Sequence, residues 1–239
     1  MKIHIGTSGW HYKHWLAGVF YPPGTKGAAM FDYYARHFDT VEVNMTFYRL
    51  PKAPVVQRWV LETPPGFLFA VKVSRYVTHV KRLADTHEHL PLLLDRLAPL
   101  LRSPKVGPFL WQLPPTFQCD LGRLEAALEQ TRGDPYRHAF EFRHPSWFDE
   151  TVYRLLAEAG AALVVGDDPR RPFIERRIVG EWTYVRLHRG SRGRAGNYSD
   201  AELATWKRRI AAWRSRADVF AYFNNDWQAF APRNAIKLL

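Results

Sequence analysis

Charged side chains recur in this chain at the ends of short apolar runs, and their types are those of acid–base and anion-binding chemistry. Val41-Glu42-Val43-Asn44, Val71-Lys72-Val73, Phe140-Glu141-Phe142-Arg143 and Val185-Arg186-Leu187-His188 each alternate apolar with polar residues. Alternate side chains on a strand share a face, so each run places its polar groups on one side. Glu42 and Glu141 are the candidate acid and base, because carboxylates on different strands can be held in different protonation states. Lys72 can stabilise developing negative charge or have its pKa lowered by neighbouring cations, and Arg143 and Arg186 can hold a planar anion bidentately. His188 can shuttle a proton near neutral pH, and Asp226 adds a further carboxylate. The candidate ligand-binding set is Ser8, Trp10, Asn44, Thr46, Tyr48, Gln112, Trp147, Arg186, Asn224 and Asn225, whose aromatic members offer stacking faces for sugars or bases. A purely structural reading stands beside this one. Buried charges must pair with each other, with water or with a ligand, and a self-satisfied network such as Glu141 with Arg186 would meet that need.

The elements that must position these residues alternate along the whole chain. Strand-like runs are Lys2–Gly6, Val41–Asn44, Phe67–Val73, Pro108–Gln112, the run from Ala139 to Arg143, Ala162–Val165, Trp182–His188 and Val219–Phe223. Helical segments follow. Phe31–His37 comes first, and Pro54–Glu62 carries proline near its start. Leu90–Leu101 must hold Pro91 in its first turn. Asp120 caps a helix through Gln130, and Asp149 or Thr151 leads one to Ala159, where Gly160 stops it. Ser199 with Glu202 forms a capping box for a helix to about Arg216. The loop Asp168–Arg177 is rich in proline and arginine. Eight strands in 239 residues predict a single α/β domain of the TIM-like (β/α)₈ class. In a doubly wound sheet, strands buried on both faces read as continuous apolar runs, and these do not. In a barrel the helices cover the outer face, so the polar face points into the lumen and the site lies at the strands' C-terminal ends.

Composition narrows the function class. With 46% hydrophobic and 15% aromatic residues the chain can bury a substantial core. One cysteine, Cys119, excludes an internal disulfide and points to a reducing compartment. No apolar run approaches the roughly 20 residues that span a bilayer, so the expectation is a cytoplasmic protein with no membrane partner. A formal net charge of +11, with 25 of 34 basic residues arginine, invites an anionic or phosphate-bearing ligand and also a nucleic acid. It is equally what an arginine-biased solvated surface gives. Arg189-Gly190-Ser191-Arg192-Gly193-Arg194-Ala195-Gly196-Asn197 follows the seventh strand, where barrels often bind phosphate. Neither a nucleophile elbow, a Walker loop nor a Rossmann fingerprint occurs. His11 with His14 and His87 with His89 lack a supporting cluster. A divalent metal on Glu42, Glu141, Asp226 and His188 is compatible with the residues, and no motif requires it.

The chain resembles the YecE-like proteins, domain of unknown function 72. The likeness is carried by Gly6-Thr7-Ser8-Gly9-Trp10, Val41-Glu42-Val43-Asn44 with Thr46-Phe47-Tyr48, Phe69-Ala70-Val71-Lys72, and Thr78-His79 followed by Leu83. It continues in Gln112-Leu113-Pro114-Pro115, Glu141-Phe142-Arg143-His144 with Ser146-Trp147, Tyr184-Val185-Arg186-Leu187-His188 and Tyr222-Phe223-Asn224-Asn225-Asp226. The resemblance implies a TIM-like barrel and supplies no reaction or cofactor, so function rests on the site. Arg189 stands where the family commonly has glycine, directly after the histidine of the seventh strand. The expected function is therefore an enzyme binding a phosphate-bearing ligand, nucleic acid included, at the barrel mouth, with hydrolase or phosphodiesterase chemistry by analogy with barrels of the endonuclease IV and xylose isomerase type. Two alternatives stand. One is metal-independent acid–base chemistry, hydrolase- or lyase-like, on a sugar or small acid by Glu42 and Glu141. The other is a non-catalytic nucleic-acid-binding barrel.

Overall fold

Alternation of apolar and polar residues builds eight parallel strands in the computed structural model, which describes residues 1–168, 174, 176–193 and 196–239. In chain order the elements are β1 (Ile3–Thr7), α1 (Ala28–Ala35), β2 (Thr40–Val43), α2 (Met45–Tyr48), α3 (Ala53–Leu61), β3 (Leu68–Lys72), α4 (Thr86–Arg96), α5 (Ala98–Leu101), β4 (Val106–Gln112), α6 (Leu121–Glu129), β5 (His138–Glu141), α7 (Glu150–Glu158), β6 (Ala162–Gly166), β7 (Trp182–Leu187), α8 (Asp200–Arg214), β8 (Asp218–Phe223) and α9 (Phe230–Leu238). The strands form one sheet in the order β1-β8-β7-β6-β5-β4-β3-β2. Its two ends meet at a seam where Gly9 N–H donates to the Glu42 carbonyl at 2.8 Å, giving a nearly closed TIM-like barrel.

The alternation divides two cores. Val41, Val43, Phe69, Val71, Phe140, Phe142, Val185 and Leu187 face outward and join one continuous core beneath the helices. The inward set grades from apolar to polar. Ala70, Leu110, Ala139, Val164, Trp182, Tyr184, Phe220 and Tyr222 fill the body of the barrel. Glu42, Lys72, Gln112, Glu141 and Arg186 are buried at its C-terminal end.

The seam depends on a missing side chain. A Cβ on Gly6 would lie 2.3 Å from the Thr40 carbonyl oxygen, so β1 and β2 can approach only over glycine. Tyr34 of α1 fastens the same seam. Its hydroxyl accepts from Thr7 N–H at 2.9 Å and donates to the Thr40 carbonyl at 3.1 Å. Gly6→Ala must push backbone against backbone. It is expected to cost about 1–3 kcal/mol, the range for forced overpacking, read as a lower urea midpoint with native far-ultraviolet dichroism retained below it.

Helix ends follow the expected chemistry with two exceptions. Asp120 caps α6 by accepting from Arg123 N, Asp149 rather than Thr151 caps α7, and Ser199 with Glu202 forms the capping box of α8. The predicted helix Leu90–Leu101 is corrected. It starts at Thr86, holds Pro91 inside, and divides at Leu97. Proline lacks its own N–H and its ring crowds the carbonyl four residues back, costs that burial of Thr86, Leu90 and Leu93 offsets here. Between β6 and β7 no described residue is helical, so that unit departs from strict strand–helix alternation. Pro169 to Phe173 and Glu175 of the predicted loop, with Arg194 and Ala195 of the glycine–arginine stretch, lie outside the described residues. Among the described residues no helix is long and apolar enough to cross a membrane.

Candidate functional site

A single guanidinium organises the mouth of the barrel. Arg186 points inward from β7 and is 1% exposed. Its Nε and Nη2 grip both oxygens of Glu42 at 2.9 and 2.8 Å, while Nη1 reaches Glu141 Oε2 at 2.5 Å. Other donors complete both carboxylates. Glu42 Oε1 accepts from Ser8 Oγ at 2.7 Å and Oε2 from the Tyr184 hydroxyl at 2.7 Å. Glu141 accepts from Gln112 Nε2 and from Arg143 Nε, each at 2.8 Å. A carboxylate has about four lone-pair sites, and these donors leave almost none free.

The electrostatics follow from this geometry. Burial alone would raise both carboxyl pKa values, but the Arg186 charge and hydrogen bonds outweigh it at Glu42, and the Arg143 and Arg186 charges outweigh it at Glu141. Both groups are held below the ordinary carboxylate value, Glu141 well below. An acid and a base are recognised by environments that push two pKa values apart. Here one arginine pushes both the same way, so the geometry makes Glu42 and Glu141 a fixed ionised floor. The self-satisfied network anticipated for Glu141 with Arg186 is present, and Arg186 holds carboxylates of its own chain instead of offering its face to a ligand.

Lys72 is the exception to this saturation. It follows Ala70 on the inner face of β3, is 7% exposed, and its ammonium sits 4.0 Å above the centre of the Phe47 ring. Among the described residues no acceptor hydrogen-bonds it and no carboxylate oxygen comes within 4.0 Å of it. Burial, reinforced by the Arg186 charge, lowers its pKa to about 7 against the pull of Glu42 and Glu141. Half of a lysine side chain at that value is a neutral amine at pH 7. Arg143 Nε is held by Glu141, and its terminal nitrogens have no acceptor among the described residues.

His188 closes the far side. Asn224 Nδ2 lies 3.1 Å from Nδ1, which puts the ring proton on Nε2, 3.5 Å from Glu141 Oε1. Burial and the Arg186 charge lower its pKa, so it is neutral at pH 7. Its backbone N–H donates to Asp167, whose carboxyl burial raises to about 6.

The remaining predicted residues separate into four groups. Ser8 and Gln112 hold the floor, while Thr46 donates to the Lys72 carbonyl at 2.7 Å and so fastens α2 to β3. Asn225 Nδ2 donates to the Gly196 carbonyl at 3.2 Å and ties down the loop after β7. Trp10, Asn44 and Tyr48 line a groove beside the mouth. Asp226 lies at the rim, paired with His14 at 3.4 Å, away from the floor. Trp147 is a correction. It is fully buried, stacks on Phe142 at 4.6 Å and donates its indole N–H to the Phe117 carbonyl, so it packs the core and presents no face to a ligand. Among the described residues no group of three or more His, Cys, Asp or Glu side chains is placed to hold a metal ion.

Sequence reading passed over three participants. Tyr184 is two residues before Arg186 on the same strand face, a spacing that could have found it. Phe47 and His79 come from segments after β2 and β3 whose folding over the mouth has no period to betray it. Their rings meet edge to face at 5.0 Å. Burial, with the Lys72 and Arg143 charges, takes the His79 pKa down to about 4.

Comparisons with known proteins agree with the fold. The chain is 28% identical to the UPF0759 protein YunF of Bacillus subtilis strain 168, over 99% of this chain and 93% of that protein. It is 32% identical to the UPF0759 protein YecE of Escherichia coli K12, over 69% of this chain and 59% of that one. A crystal structure of a DUF72 family protein from Thermotoga maritima MSB8 superposes with a TM-score of 0.88 at 30% identity, covering 100% of this chain and 98% of that chain. A DUF72 family protein from Enterococcus faecalis V583 shares the fold with a TM-score of 0.80 at 22% identity, covering 99% of this chain and 96% of that chain. The family model described as "Protein of unknown function DUF72" matches residues 4–239, and the chain belongs to that family.

Proposed function

We propose that this protein is an enzyme acting on a small anionic ligand at the C-terminal mouth of the barrel, with Lys72 as the group that exchanges a proton with it. The observation that carries this reading is an almost buried amine that no acceptor among the described residues hydrogen-bonds, held near pKa 7. Leaving a lysine so is costly, and a base poised near the working pH is what proton transfer requires. The free nitrogens of Arg143 beside it supply the charge that draws a phosphate or carboxylate. The Glu42–Arg186–Glu141 floor fixes these groups in place and keeps its own protons out of the reaction. This deepens the expected anionic ligand and moves proton transfer from the two glutamates to the lysine, in keeping with lyase-type chemistry on a small acid. A polynucleotide would meet the same cations, and salt separates the two ligands. Binding that releases several phosphate counterions weakens by about 10³-fold or more between roughly 50 and 200 mM salt, whereas a single small anion responds far less.

Competitive labelling with acetic anhydride tests the reading. Lys72 is expected to titrate near pH 7 and to be protected by millimolar phosphate or citrate. Titration of Lys72 with the bulk lysines near pH 10.5, or labelling indifferent to both anions, would sink it.

A further inference from the structure

Beside the mouth a groove of about 630 Å³ opens between the β1 loop, α1, α2 and α3. That volume falls within the range of about 300–1,000 Å³ typical of small-ligand pockets. Its wall is aromatic. Trp10 stacks on Phe31 with ring centres 4.5 Å apart and meets Trp59 edge-on at 6.0 Å, so flat apolar surfaces line one side. At the α1 end the groove is open, since a Cβ on Gly27 would meet nothing within 4 Å. The rim carries no net charge from its closest ion pair, because Arg58 and Glu62 neutralise each other at 3.0 Å. A neutral flat group suits such a groove, and an anion does not.

One polar group in the wall is unsatisfied. The Asn44 side-chain amide makes no hydrogen bond with any described residue, and its Oδ1 is buried away from solvent. The oxygen is closed to a ligand in the groove, so the amide nitrogen, with no acceptor among the described residues, is the atom that meets one, and it complements a ring nitrogen or exocyclic oxygen at the edge of a heterocycle. Asn44 follows β2 directly and opens α2, whose Phe47 ring centre lies 4.0 Å from the Lys72 ammonium, so the same short helix borders the groove and the mouth.

From these observations we infer that the groove binds a planar nitrogen heterocycle of the nucleobase type, stacked along the aromatic wall and held edge-on by Asn44. The inference rests on the mouth reading only for the ligand's other half. Its occupant is one neutral ring, joined in the full ligand to the anionic group that reaches Lys72.

Titration of the purified protein with adenosine, guanosine, cytidine and uridine, followed by tryptophan fluorescence and calorimetry, tests it, with toluene as a ring lacking donors and acceptors. At least one nucleoside is expected to bind and to quench Trp10. Asn44→Ala should weaken that binding about tenfold or more, the loss of a hydrogen-bonded edge. Val55→Trp, which fills the groove from an exposed position, should remove it while leaving the melting temperature near wild type. Lys72→Met should leave nucleoside binding intact and lose only the gain in affinity of the matching 5′-monophosphate over the nucleoside. Binding of none of the four nucleosides overturns the inference, as does toluene binding equally well with Asn44→Ala neutral. Because the bare nucleosides do not engage Lys72, either failure leaves the anion-protection result at Lys72 to stand or fall separately.

Discussion

Arg186→Ala is expected to destabilise the protein by about 3–5 kcal/mol, the cost of breaking a buried ion pair from one side. For a chain of this size that is a fall in melting temperature of roughly 6–20 °C. The reason lies in the geometry. The guanidinium serves Glu42 and Glu141 together, and both carboxylates are buried, so its loss leaves Glu42 without an ion partner and Glu141 with Arg143 alone. The sign of the pH effect follows. In the wild type both carboxyl groups are held below their ordinary value of 4.5, so their contribution is complete above that pH and is lost as pH falls through the lower folded values. In the variant, burial acts on Glu42 without its arginine and raises it, while Glu141 keeps only the Arg143 charge against its burial. Protonation then relieves the folded state, and the stability gap between variant and wild type should narrow as pH drops from neutrality towards 4.5. Arg186→Lys should recover only part of the loss, because a point charge cannot span two carboxylates. Urea melts at pH 7 and pH 5 decide it. A variant within about 1 kcal/mol of wild type at pH 7 would show that the floor is not held as described, since exposed pairs contribute no more than that.

Lys72→Met should have the opposite effect on stability. The amine titrates near 7 in the folded protein and at 10.5 when unperturbed. Between those values the unfolded chain binds a proton that the folded chain does not, so wild-type stability rises with pH across the window. Below pH 7 the penalty is constant and complete. At about 1.4 kcal/mol per unit, removing the amine should stabilise the protein at pH 7 by several kcal/mol, roughly 3–5 at the upper limit. The rise in stability between pH 7 and 10 should flatten in the variant. Loss of function with gain of stability is what a strained functional group predicts, and a structural lysine would give the reverse. A melting temperature lowered by Lys72→Met, with the wild-type pH slope retained, would contradict the assignment.

Much of the architecture was legible in the chain because a strand's period is two. Val41-Glu42-Val43-Asn44 or Phe140-Glu141-Phe142-Arg143 can bury its apolar face beneath helices in only one way, and the polar face then enters the lumen. Capping oxygens at Asp120, Asp149 and Ser199 marked three helix starts for the same local reason. Pro91 misled because local rules price a missing N–H without knowing what the surrounding core returns. Trp147 misled because it follows the strand's polar end in a loop, and only the packing of Phe142 and Phe117 against it shows that it is covered.

The sequence by itself determined which residues gather at the barrel mouth, since strand direction and side-chain alternation set that without reference to distance. Which of them remain available was decided by tertiary structure. Glu42, Glu141 and Arg186 carry enough charge to look reactive, yet they come from β2, β5 and β7 and neutralise one another only when the barrel brings them within hydrogen-bonding range. Lys72 reads in sequence as one basic residue among many. It becomes the singular group because no acceptor among the described residues reaches its ammonium and Phe47 covers it, a consequence of three-dimensional packing that no spacing along the chain encodes.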